Sequence, residues 1–170
     1  MMRILDFFTS TKRPVSGTPE CSPVEVRERL LELNRPTAPY QITAGNGAAD
    51  LVAEWRIVDA QWYEIFAKAG LKKVFKISLR LDPAAKQVRA LDQEYEVAWR
   101  AGVPNLSLAA RRFRGQSQSI QVGAGYAFTE ELRPGQVYNY RFATKELKQP
   151  LQEAVTACGW TFKGVAFGKL

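Results

Sequence analysis

Three carboxylates, Asp92, Glu94 and Glu96, stand at alternate positions in a stretch that alternates apolar and polar residues. Residues two apart share one face of a strand, so the row has the chemistry to hold a divalent cation or to move protons. The preceding segment alternates in the same way: Phe75, Ile77, Leu79 and Leu81 interleave with Lys76, Ser78 and Arg80. Matching the apolar faces of the two segments sets Phe75 opposite Tyr95, Leu79 opposite Leu91, Lys76 opposite Glu94 and Ser78 opposite Asp92. On that register the carboxylates form a solvated face neutralised across a hairpin. No catalytic residue, metal ligand or cofactor is assigned from them, and a carboxylate- or metal-dependent enzyme ranks third among the readings.

A second constellation is basic. The chain carries 24 Lys+Arg against 17 Asp+Glu, a net +7, with an isoelectric point near 9.6. The densest run is Arg111-Arg112-Phe113-Arg114. With Lys72, Lys73, Lys76, Arg80 and Arg89 it has the makings of a polyanion-binding patch with aromatic interleaving. Strand alternation sends Arg111 and Phe113 to one face, Arg112 and Arg114 to the other, so half of the run meets any one ligand.

A third is aromatic. Trp55, Trp62, Tyr126, Tyr138 and Tyr140 fall at positions expected to face inward, and they are candidates to line an apolar pocket. The start of the chain adds Ile4, Leu5, Phe7 and Phe8, an apolar tail suited to docking on a partner.

Other chemistry is excluded by composition. The chain has no histidine, which removes the Ser-His-Asp triad, the Cys-His dyad and imidazole-based metal sites. Gly123-Ala124-Gly125 gives only G-x-G, in a strand pattern, and cradles no phosphate. Cys21 and Cys158 are too few for a disulfide framework and read as free thiols, Cys158 beside a helix end that disfavours its thiolate. Asp6 interrupts the apolar start, and no apolar run reaches about 18 residues, so the chain is expected to be cytoplasmic, with no transmembrane segment.

The elements that position these groups follow from periodicity. Ser22-Pro23-Val24-Glu25 is a capping box with proline at the first helical position, followed by Val26, Leu30 and Leu33 on one face. Short strands are expected from Tyr40 and from Leu51, then a helix from Asp59 to Gly70. The 75–99 hairpin has a bulge between Ala90 and Leu91, where the alternation changes phase. Strands follow over 106–112, 120–128 and 138–142. A helix with the stripe Leu147, Leu151, Val155 and Cys158 begins near Lys148, because Pro150 belongs in a first turn. A strand over 160–167 closes the order. Residues 1–21 read as an apolar N-terminal tail and flexible linker, and 22–170 as a single domain. The fold class is α+β: a strongly curved, mostly antiparallel sheet of about seven to eight strands packed with two to three helices.

The segments Asp50–Ile57, Trp62–Gly70 and Gly164–Leu170 resemble an uncharacterised family of small bacterial proteins. That resemblance implies a bacterial cytosolic protein and no particular activity. More remotely, many strands around a helix resemble the tubby-like and scramblase-like barrels, some of which bind anionic lipid. The leading expectation is a non-catalytic binding module for a protein partner or a small apolar ligand. The alternative is a polyanion-binding protein that takes nucleic acid or an anionic membrane surface.

Overall fold

The structure, a computed structural model, describes residues 10–36, 38, 40–56, 73–100, 103–108, 114–115, 120–126, 137–165 and 170. The expected helix over 59–70 lies outside them. The first helix, α1 (Pro23–Leu31), forms as the sequence dictates. The Glu25 N–H donates to Ser22 Oγ at 3.3 Å, and the Ser22 N–H donates to the Glu25 carboxylate at 2.6 Å. That bond holds the Glu25 carboxyl below its ordinary range. Val26 and Leu30 are buried one turn apart.

Three strands follow: β1 (Tyr40–Ala44), β2 (Leu51–Trp55) and β3 (Lys73–Asp82). The long β4 (Gln87–Arg100) is the hub. One edge of β4 pairs antiparallel with β3. Its other edge takes three partners in turn: β5 (Val103–Leu108), β6 (Arg114–Gly115) and β9 (Thr161–Gly164). β9 runs parallel to β4, so the sheet is mixed rather than wholly antiparallel, and it is open rather than closed into a barrel. A separate two-stranded ribbon joins β7 (Ile120–Tyr126) to β8 (Val137–Ala143).

The core lies between one face of the sheet and two helices. Tyr40, Ile42, Leu51, Ala53, Trp55, Ile77, Leu79, Val88, Ala90 and Phe162 point into it. β1 is an edge strand, and Asn34 completes it. The Asn34 amide accepts from the Ile42 N–H and donates to the Ile42 carbonyl, both at 2.7 Å. One side chain thereby does what a further strand would do.

The second helix, α2 (Thr144–Ala157), starts at Thr144, four residues before the expected position, and carries Pro150 in its interior. Proline there removes a backbone hydrogen bond. Complete burial of Leu147, Leu151 and Val155 offsets that loss, since tertiary packing supplies most helical stability.

The hairpin register differs from the expected one by a single residue. Phe75 pairs with Glu94, Lys76 with Gln93, Ser78 with Leu91 and Leu79 with Ala90. The ladder is continuous from Lys73↔Glu96 to Asp82↔Gln87, with no bulge at Ala90. The reason lies in the apolar row Leu51–Leu79–Ala90, which fixes the phase of β4 from its turn end. Keeping that phase turns Asp92 inward, opposite Ile77. Asp92 is fully buried, and Lys148 of α2 meets it with Nζ 2.6 Å from Oδ2. Apolar matching alone does not anticipate a buried ion pair.

Residues 10–21, linker-like by composition, are bonded along the body. Lys12 exchanges two 2.8 Å backbone hydrogen bonds with Phe162. Gln152 donates to the Ser10 carbonyl at 2.8 Å, and Trp160 Nε1 to the Cys21 carbonyl at 3.0 Å. These bonds use backbone groups, which composition does not display. At the turn after α2, Gly159 has φ +70°, and a Cβ there would lie 2.8 Å from the Pro19 carbonyl oxygen.

Two outcomes follow. Asp92→Leu and Lys148→Met are each expected to cost about 3–5 kcal/mol, because each removes the buried partner of the other charge. Asp92→Leu combined with Lys148→Met is expected to recover most of that loss, and urea denaturation reads the difference as a double-mutant cycle. Burial, and then the adjacent Cys21 thiol, push the Cys158 thiol up from 9.0 to about 12. Its folded pKa is raised, so this contribution is intact below pH 9 and is lost as pH rises towards 12, where the unfolded thiol ionises and the folded one does not. Under reductant, Cys158→Ala is expected to lose less stability than wild type over that interval.

Candidate functional site

The face of the sheet turned away from the helices carries the chemistry. Strand pairing arranges it in rows. One row runs Gln41–Glu54–Lys76–Gln93–Arg114 across β1, β2, β3, β4 and β6. The next runs Thr43–Val52–Ser78–Leu91. A third is wholly basic: Arg80–Arg89–Lys163 across β3, β4 and β9.

Over the first two rows lies an open trough of about 760 Å³, with Val52, Leu91 and Tyr95 in its floor and Arg80 at its border. Leu170 also lines it. The size falls within the range of roughly 300–1,000 Å³ typical of small-molecule pockets. The loop after β1 forms one rim. There Asp50 accepts from the Leu81 N–H at 2.8 Å, and Arg80 Nη1 donates to the Ala48 carbonyl at 3.2 Å. Gly45 fits that rim because a Cβ would lie 2.4 Å from the Ala49 carbonyl oxygen.

Lys76 is held in place within the trough. Its Nζ is 3.1 Å from Glu54 Oε2 and 5.1 Å from the centre of the Tyr95 ring. Gln41 donates to Glu54 Oε1, and the Tyr95 hydroxyl donates to Gln93 Oε1, each at 3.4 Å. The sequence reading placed the carboxylate partner of Lys76 on β4; it is on β2. An interior strand has two neighbours, and a hairpin argument considers one.

The basic row sets like charges side by side, which costs stability on a sheet face. Asp82 offsets part of it. Its carboxyl is lowered first by the Ala85 N–H, then by Gln87, with Arg89 contributing less.

The residues picked out from sequence divide among several places. Lys76 is in the trough. Lys73 is a β3 residue paired with Glu96, and Arg114 pairs with Gln93, in the same row as Lys76. Trp55 is a core residue, edge-on to Tyr40 with ring centres 6.4 Å apart. Tyr138 and Tyr140 pair with Gly125 and Gly123, whereas Tyr126 pairs with Val137. Trp62, Lys72, Arg111, Arg112, Ile4, Leu5, Phe7 and Phe8 lie outside the described residues. Of the three carboxylates, Asp92 is in the core and Glu96 is exposed. Glu54, Ser78, Leu91, Tyr95 and Lys163 were not singled out as site residues. Period-two alternation makes Glu54 and Ser78 legible, but Lys163 joins the basic row only through a parallel pairing distant in sequence.

Comparison with protein-family models, with curated proteins and with solved structures finds no match, so the functional reading rests on geometry. Lys76→Ala is expected to cost about 1 kcal/mol or less, because its ion pair is partly solvated. Thermal and urea unfolding of this variant should therefore stay close to wild type.

Proposed function

We propose that the protein is a non-catalytic binding module, and that the outer-face trough takes a small ligand with an apolar body and one anionic group. The observation that carries this reading is the adjacency of an apolar floor to a basic row. Val52 and Tyr95 offer the body a surface, and Arg80 beside them offers the acid a partner. Arginine suits that role because its planar fork bonds carboxylate and phosphate in two places. The Lys76–Glu54 pair orients the polar side of the trough.

The reading joins the two leading expectations from sequence, a small apolar ligand and an anionic partner, in one place. It favours a small molecule over a long polyanion because, among the described residues, the basic row of Arg80, Arg89 and Lys163 spans three strands.

Native mass spectrometry of untagged protein, purified gently from its own host, tests it directly. The expected result is a retained mass of a few hundred daltons that Arg80→Ala and Ser78→Trp both lose while remaining folded. An unliganded wild-type protein that binds duplex DNA or anionic vesicles with steep salt dependence overturns the reading in favour of a polyanion surface.

A further inference from the structure

We propose that Cys21 and Cys158 form a reversible disulfide, a redox-driven staple that fixes residues 10–21 to the turn between α2 and β9. The two residues are far apart in sequence and adjacent in space. The Cys21 N–H donates to the Cys158 carbonyl at 3.0 Å, and both cysteines line one groove. That bond brings the two backbones into direct contact, which a disulfide requires. The backbone is already held on both sides, by the Trp160 indole on the Cys21 carbonyl and by Gly159 packed against Pro19. Closing the bond therefore asks for little movement.

The surroundings assign the two sulfurs different roles. Cys158 is buried, whereas Cys21 is partly buried at the edge of the core. A groove of about 420 Å³ reaches both, between Arg29 and Leu33 on one side and Ala154 and Ala157 on the other. A small oxidant entering it meets Cys21 first. With hydrogen peroxide as the oxidant, the Cys21 thiolate attacks one peroxide oxygen. The O–O bond breaks, leaving a sulfenic acid and releasing hydroxide, which takes up the proton Cys21 gave and becomes water. The Cys158 sulfur then attacks the Cys21 sulfur. The S–O bond breaks, and the departing hydroxide takes the Cys158 proton as a second water. Two thiols lose two electrons, and peroxide gains them. A dithiol reductant reverses the bond by exchange.

The full-length chain is treated with one equivalent of hydrogen peroxide, then digested without reduction and mapped. The expected result is a Cys21–Cys158 cross-linked peptide, a monomer lighter by two hydrogens, and complete reversal by dithiothreitol. The oxidised protein should unfold at higher temperature than the reduced one. Cys21→Ser, at a partly buried position, should fold, form no cross-link and show no oxidation-dependent rise. Irreversible gain of oxygen at Cys21 without a cross-link, or a disulfide between two chains, overturns the proposal.

Discussion

The buried contact between Asp92 and Lys148 ties the fold together. It joins the central strand to the second helix inside an otherwise apolar layer. Taking both charges out of water is costly, and the return depends on close geometry. The strands could match apolar faces in more than one register, but only one brings Asp92 to Lys148. The pair therefore links the layers in the one register that the apolar row Leu51–Leu79–Ala90 sets. Lys148 also approaches the Ser10 hydroxyl at 3.5 Å, which brings the N-terminal strap to the same point.

With the register fixed, the two faces of the sheet take different tasks. Leu51, Ile77, Leu79, Val88 and Phe162 face the helices and exclude water. The alternate positions Glu54, Lys76, Ser78, Arg80 and Gln93 are left for the opposite face. A slip of one residue would exchange the sets, so the register that buries Asp92 also determines which side chains line the trough. Stability and the candidate site share one constraint without sharing a residue.

Much of this was legible in the sequence where the signal is local. The capping box at Ser22, the strands β1 and β2, the hairpin between β3 and β4 and the apolar stripe of α2 each arise from residues a few positions apart. What escaped is non-local or runs against a rule of thumb. Matching Leu91 and Tyr95 to the apolar face displaced the register by one residue, introduced a bulge that the ladder does not contain, and so left Asp92 on the solvated side. Reading Pro150 as a helix start followed from its missing N–H, yet packing sustains the turn before it. The strap over 10–21 is held through carbonyls and N–H groups that all sequences possess. The trough was half legible: Lys76 and Arg80 announced themselves by alternation, whereas Glu54 needed the other neighbour of β3 and Lys163 needed the parallel strand.

β9 enters the sheet parallel to β4, and Lys12 pairs with it from the other side. Phe162 thus rests between strands drawn from widely separated parts of the chain, and Trp160 beside it is fully buried. Such closure has a large entropic cost before its contacts form, and it slows folding. During synthesis, which proceeds from the N-terminus, Val88 and Ala90 are made long before Phe162 and Gly164 can cover that edge. The nascent chain carries a bare strand edge throughout that interval, a surface on which chaperones act and from which aggregation starts.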